Sequence, residues 1–458
     1  MPTGSSRRFT DARVPDPGIA ELFSTKSRLQ ARLRVEAALA RAEAALDVIP
    51  AEAGEVIAEA ADLDRLDLDR IEDGTAAHSH PLTPLLDELS RVVGAEHGGW
   101  VHWGATTQNI TQTADLLLLR EAHGRILDLL GDLLRALSKL ADDSAEVPMP
   151  GRTHSQHAVP ITFGFKVAMW IDELASHVDR LQRLEDRLFR LLLGGAVGTM
   201  ASFGDRGRDI EAQVARLLDL APMPVPSRAT NDGMVEYVTV LGLLAGTAGK
   251  IAKDVYAMMQ PEFGEAFEPI PDGTIGSSTM PHKRNPQLTL DVMTASAQLR
   301  GLVAPALESM LHDHEANGGM TGLLEETVAQ ASVLAGDVLT RLVVIAGGLE
   351  LDTDRMRANL ALSGGLIGSE SLMLQLGERI GRDRAHEIVY DLAQEAAVTG
   401  RDFAGLLGRD ETVAGHFSPA EIDRLLDPAH HLGESAATAR AMAEHARRVA
   451  DRLQIGEV

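Results

Sequence analysis

The chain has 458 residues, 45% of them hydrophobic but only 3% aromatic, with 67 acidic against 43 basic residues and a formal charge of −24. So negative a chain is not a general binder of nucleic acid or anionic membrane, and the absence of cysteine excludes disulfides, thiolate catalysis and Cys-ligated metal sites. The length predicts two or three domains, with a Leu, Ala, Val, Ile and Met core that suits packed helices rather than sheets.

Met1 to Asp16 is polar and lacks the apolar core of a signal peptide. No run of about 18 residues is both apolar and uncharged. A cytoplasmic chain without a membrane segment is expected. Residues 1–18, rich in Gly, Ser, Arg and Pro, read as a loosely held arm. From Lys26 to Leu46, Leu29, Leu33, Ala37, Ala40 and Ala44 recur at steps of three and four, one helical stripe. A short helix follows Pro50, and residues 62–75, where Asp and Leu interleave, read as irregular. His78-Ser79-His80-Pro81 interrupts two helical patterns; both histidines can face one cleft, or the pair can lie in a surface loop.

Trp100 to Thr113 is dense in hydroxyl and amide residues. Helix capping accounts for one or two of Thr106, Thr107, Gln108 and Asn109; all four together at a helix start make a carboxylate site. Asp115 opens an apolar run through Leu140. Pro148 and Pro150 break the next connection, and Gly151-Arg152-Thr153-His154-Ser155-Gln156-His157 leads into a periodic run through Val167, Ile171, Leu174, Val178, Leu181, Leu184 and Leu188. A helix of about 30 residues spans about 45 Å, as in a bundle. Gly194 to Thr199 reads as a helix stop; it lacks the strand and the Lys-Ser/Thr ending of a nucleotide loop. Further helical runs lie between Pro226 and Pro261, up to Met310, and from Leu323 to Leu349. After Ser363-Gly364-Gly365 the helices shorten. No strand alternation and no internal repeat is read. The prediction is an all-α chain of three parts: an N-terminal helical domain (1–112), a central long-helix bundle (113–362) and a small C-terminal helical domain (363–458).

Between two of these helical runs lies Gly276-Ser277-Ser278-Thr279-Met280-Pro281-His282-Lys283-Arg284-Asn285-Pro286. Its prolines forbid a continuous helix, and two serines and two cations stand side by side. A mobile loop carrying catalytic groups and a basic surface loop both fit this composition.

This loop resembles the signature loop of the fumarase/aspartase superfamily of lyases almost residue for residue. Thr106–Asn109 and Arg152–Gln156 resemble two further motifs of that superfamily, in the same order. Within it, Gly151–Trp170, Gly194–Gly207 and Leu351–Ile388 look most like the 3-carboxy-cis,cis-muconate cycloisomerases, and adenylosuccinate lyases are the next neighbours. Ser6-Arg7-Arg8-Phe9-Thr10 departs from the phosphate-gripping segment of the latter, which argues against a nucleotide substrate. Other departures are Pro226 to Asp232, His314 to Met320, Asn109 where Asp is usual, and Ser155 where Gly is usual.

The resemblance implies β-elimination beside a carboxylate through an aci-carboxylate intermediate. Ser277 corresponds to the base. Lys283 and Asn285 are the expected clamp on that carboxylate, and His154 is the candidate acid. His78 or His80 orients it or binds the second carboxylate, with Thr106, Thr107, Gln108 and Asn109. Arg152, Thr153, Gln156, Ser278 and Met280 join the site through the shared motifs, and Arg228 and Asn231 through the divergent segment. No metal and no cofactor is expected, since donors and cations meet the carbanion charge. The superfamily also implies a homotetramer whose sites each draw on three subunits. The expected substrate is a small anionic dicarboxylate: an amino-, nitro- or N-substituted succinate that yields fumarate. The alternatives are cycloisomerisation of carboxymuconate, adenylosuccinate cleavage, and a catalytically inactive structural relative.

Overall fold

A computed structural model of the chain describes residues 8–271, 273–274 and 276–455. Part of the expected N-terminal arm, residues 1–7, therefore lies outside the described residues. The low aromatic content and long aliphatic stripes produce long helices: Thr107–Asp143 (37 residues), Phe163–Leu188 (26), Asp232–Met258 (27), Gln287–Gly301 (15) and Gly318–Gly348 (31). Shorter helices precede and follow them. The all-α architecture with long bundle helices is the one expected. Two of these helices, Asp232–Met258 and Gly318–Gly348, are long and apolar enough by composition to cross a membrane, and 61% of each such window is buried inside the protein.

The chain divides into two compact units, each made of separate stretches. One comprises the residues up to Leu129 together with His177–Ala248 and Thr294–Thr340. Its core packs Leu33, Leu39 and Ala42 of helix Thr25–Ala45 against Leu85, Leu89, Ile110, Leu117, Ile210 and Val214. The other comprises Leu130–Ser176, Gly249–Met293 and the residues from Arg341 onward. Its tail has its own apolar centre of Leu372, Leu376, Phe403, Leu407, Val413 and Ile422.

Three expectations are corrected. The stretch 62–75 is not irregular throughout: Asp67 caps a helix over Leu68–His78 through the Arg70 N–H at 3.2 Å. The tail does not only shorten, because it ends in the 21-residue helix Ser435–Ile455. And strands exist. Pro148–Thr153 pairs antiparallel with Gln156–Thr162, a ribbon whose alternation is masked by three prolines, tolerated because a two-stranded ribbon has two open edges. The register shifts between Pro150 and Arg152, at Gly151, where a Cβ would stand 2.5 Å from the Val159 carbonyl oxygen. The other two sheets are minimal: Ala266–Phe267 with Glu350–Leu351, and Arg190–Leu191 with Ala221–Pro222.

Candidate active-site groups

In the first unit, the hydroxyl-amide cluster forms the first turn of helix Thr107–Asp143. Asn109 is fully buried, and its Oδ1 accepts from the Thr106 and Gly195 N–H groups, both at 3.1 Å. Its Nδ2 has no partner among the described residues. The side chain thus ties the turn to the glycine loop. Gln108 is also buried. Its Oε1 accepts from Arg228 Nε at 2.7 Å, and its Nε2 donates to Gln112 Oε1 at 2.8 Å. Gln112 Nε2 donates to Asn231 Oδ1 at 3.2 Å, and Asn231 Nδ2 meets His312 Nε2 at 2.9 Å.

A guanidinium can only donate, so Arg228 fixes Gln108 Oε1 as the acceptor. Each amide of this ladder then accepts on one side and donates on the other as far as Asn231, while the far side of His312 is fixed separately, its Nδ1 accepting from the Asn317 N–H at 3.0 Å. Burial holds the His312 pKa below its usual value, opposed by Asp313 and aided to a lesser degree by Arg228. The structure therefore gathers Gln108, Asn109, Arg228 and Asn231. Gln112 and His312 belong to the same set and were not singled out in the sequence.

The turn has a second anchor that sequence reasoning missed. His102, at φ 63°, has Nδ1 2.7 Å from Glu36 Oε1. Glu36 and Glu43 are both buried on helix Thr25–Ala45, and burial, then the neighbouring Glu36, raises the Glu43 pKa to about 8. His78 is the exposed last residue of its helix. His80 is engaged: its Nδ1 accepts from the Leu82 and Thr83 N–H groups at 3.2 and 2.9 Å, capping the next helix.

Nearby, Arg28 pairs with Asp115 at 2.8 Å. With Gln112, Thr321 and Glu325 they line a cleft of about 380 Å³, open solvent included. Burial raises the pKa of both carboxyls, opposed by Arg28 and Arg32.

In the second unit, the ribbon turns at His154 and Ser155, both left-handed with φ 52° and 63°. Two successive positive φ values make the tight turn that matches strand twist, and non-glycine residues there are strained. Thr153, His154, Ser155 and Gln156 are all exposed at this tip. Arg152 stands one residue further in. Its Nη1 and Nη2 donate to the two oxygens of buried Glu265 at 2.9 and 2.6 Å, Asn359 Nδ2 donates to the same carboxylate at 2.7 Å, and the guanidinium stacks 4.9 Å from the Phe263 ring centroid. Arg152 is committed to holding the ribbon's root. Burial and Arg152 hold the His157 pKa below its usual value.

The signature loop, also in the second unit, leaves Ser278, Met280 and Lys283 exposed and Ser277 half-buried. Ser277 Oγ accepts from the Met280 N–H at 3.2 Å and the Thr279 N–H at 3.5 Å. The loop is pinched at its neck. Asn285 Nδ2 donates to the Gly276 carbonyl at 2.6 Å, and a Cβ on Gly276 would stand 2.1 Å from the Lys283 carbonyl oxygen, so only glycine fits. Beyond the neck, buried Glu268 accepts from Leu288 N–H at 3.0 Å, Thr289 N–H at 2.8 Å and the Thr289 hydroxyl at 2.7 Å. It thereby caps the helix that follows, where an anion faces the positive helix end. Among the described residues no three His, Asp or Glu side chains converge as a metal ion requires.

Residues 10–301 match the family described as "Lyase", and residues 365–442 the one described as "Adenylosuccinate lyase C-terminus". A 3-carboxy-cis,cis-muconate cycloisomerase of Pseudomonas aeruginosa is 39% identical, over 96% of this chain and 97% of its own. An N-acetyl-S-(2-succino)cysteine lyase of Enterococcus italicus is 36% identical, over 90% of each. The crystal structure of the 3-carboxy-cis,cis-muconate lactonizing enzyme from Pseudomonas putida superposes with a TM-score of 0.87 at 37% identity, covering 98% of this chain and 100% of that one.

Proposed function

Since the chain belongs to the fumarase/aspartase superfamily of lyases, we propose that it eliminates a nitrogen- or sulfur-linked group from a substituted succinate, releasing fumarate. The observation that carries the reading is the setting of Ser277 Oγ, which receives two backbone N–H groups. Such donors favour the anionic oxygen over the hydroxyl, which is what a serine needs to act as a base. The alkoxide takes the proton from the carbon next to one carboxylate. Electrons move onto that carboxylate as an aci-carboxylate, held by Lys283. They return to form the carbon–carbon double bond as the carbon–heteroatom bond breaks, and His154 protonates the departing atom. Asn285 serves the loop by closing its neck. Thr106, Thr107 and the helix end they open hold the second carboxylate.

The working form is a homotetramer in which the first-unit group, the ribbon tip and the signature loop come from three different subunits. Exposed apolar residues on the long helices, among them Met169, Leu243, Tyr256 and Leu290, support burial against other copies. Light scattering should then give about four times the 49.0 kDa of one chain.

A second reading, closure of 3-carboxy-cis,cis-muconate to a lactone, is favoured by the 39%-identical relative and by the solved neighbour of similar name. The succino-cysteine lyase at 36% identity favours the first. Supplying amino-, nitro- and S-alkyl-succinates and carboxymuconate to the purified protein, with ultraviolet detection, separates the two. Fumarate release supports the proposal, and lactone formation without it refutes it. In the active assay Ser277→Ala should lower turnover by about 10²–10⁴-fold with assembly unchanged; near wild-type turnover would overturn the base assignment.

A further inference from the structure

Arg228 is a half-buried cation in the first unit. Arg28 is answered by Asp115, whereas Arg228 meets only neutral acceptors: Gln108 Oε1 at 2.7 Å and the Ala196 carbonyl at 2.8 Å. No Asp or Glu pairs with it among the described residues, and the one resolved influence on its pKa is burial, which lowers it. The nearby Asp313 carboxylate is bonded by Asn317 Nδ2. The ladder beyond Gln108 continues through Gln112, Asn231 and His312 without a formal charge.

Half-burying a cation without a counter-ion is unfavourable, and a ladder of amides does nothing to neutralise it. Two of its nitrogens are braced, so the planar fork is fixed in direction, while Nη2 has no protein partner among the described residues. A braced, uncompensated guanidinium beside a substrate-binding turn is built to receive a carboxylate.

We propose that Arg228 is the receptor for a third carboxylate, so that the substrate is a succinate carrying a further acid group on its leaving portion. The inference rests on the reading above that Lys283 and the Thr106–Thr107 turn hold the two succinate carboxylates.

Two probes isolate the third group: propane-1,2,3-tricarboxylate, and 2-ethylsuccinate, which has an ethyl in place of the carboxymethyl. Calorimetric titration of the assembled wild-type protein should show the tricarboxylate binding about 10- to 100-fold more tightly, as a charge-assisted bidentate contact provides. Arg228→Met should bind both probes alike, with Arg228→Lys in between. Lys283→Met should weaken both probes about equally, leaving the ratio intact. A merely structural Arg228 would lower both affinities together and spare the ratio. If Arg228→Met fails to assemble, Gln108→Glu provides the same reading, because an anion set against the guanidinium should abolish the preference. Preference retained in these variants, or no preference in the wild type, overturns the inference while leaving the dicarboxylate site standing. Failure of the wild type to bind either probe sinks both together.

Discussion

Replacing Glu43 by Gln isolates the cost of a buried carboxyl on helix Thr25–Ala45. Glu43 is fully buried, neither of its oxygens has a partner among the described residues, and its pKa is raised from 4.5 to about 8, by burial first and Glu36 second. Between those two values the folded chain keeps a proton that the unfolded chain has released, so this group makes stability fall as pH rises. The slope is roughly 1.4 kcal/mol per pH unit, and the accumulated penalty is on the order of 3 kcal/mol at neutral pH before any relief from residual hydration. Gln does not titrate. Urea unfolding at fixed protein concentration, from about pH 5 to about pH 8.5, should show Glu43→Gln gaining little at the acid end, about 3 kcal/mol near neutrality, and nothing more above about pH 8. Glu36→Gln should end the wild-type fall in stability at a lower pH, since removing the second cause lowers the Glu43 pKa. Wild-type and Glu43→Gln stabilities running parallel across that range would refute the reasoning.

Glu265→Ala strands the Arg152 guanidinium, a loss of about 3–5 kcal/mol for a broken buried pair. It should speed amide exchange across the ribbon 148–162, and unchanged protection there would refute Arg152 as the ribbon's anchor. Ser155→Gly relieves a left-handed φ of 63° and should stabilise the protein by about 1 kcal/mol, read as a higher unfolding midpoint with turnover retained. Asn109→Asp keeps both accepted hydrogen bonds and removes an unpartnered donor. The variant should therefore assemble normally yet bind propane-1,2,3-tricarboxylate with less preference over 2-ethylsuccinate; an undiminished preference would count against the electrostatic account of Arg228.

The long helices were legible because their aliphatic steps of three and four are both necessary and sufficient for a bundle. The ribbon was not, since Pro148, Pro150 and Pro160 hide its alternation and the register break at Gly151 destroys what remains. The motif residues were legible as chemistry, but their supports were not. Glu265 and Glu268 stand three apart around a two-residue strand. One holds the root of the His154 ribbon, and the other caps the helix after the Ser277 loop. One short segment thus fixes two elements far apart in sequence. Its only signal was a pair of acids flanking Ala266-Phe267, which reads equally well as solvated surface.

Asn109 shows how a departure from a pattern can be weighed physically. Its Oδ1 takes two backbone N–H groups, a task a carboxylate performs at least as well, while its Nδ2 is left buried without a partner. An unsatisfied buried donor costs about 1–3 kcal/mol, so the amide is a poor choice for holding the turn. What the amide provides is neutrality. Gly195 donates to Asn109, and the adjoining Ala196 carbonyl accepts from Arg228. A carboxylate at position 109 would therefore face the same two-residue stretch as the guanidinium and offset its charge. Gln108, Gln112 and Asn231 follow the same rule, hydrogen-bonding throughout without adding an anion. The signature loop follows the pattern of its superfamily, and on the function proposed above it carries the elimination. Asn109 and the segment from Pro226 to Asp232 are where this chain departs, and the neutrality of their amides is what the proposed role of Arg228 as a carboxylate receptor requires.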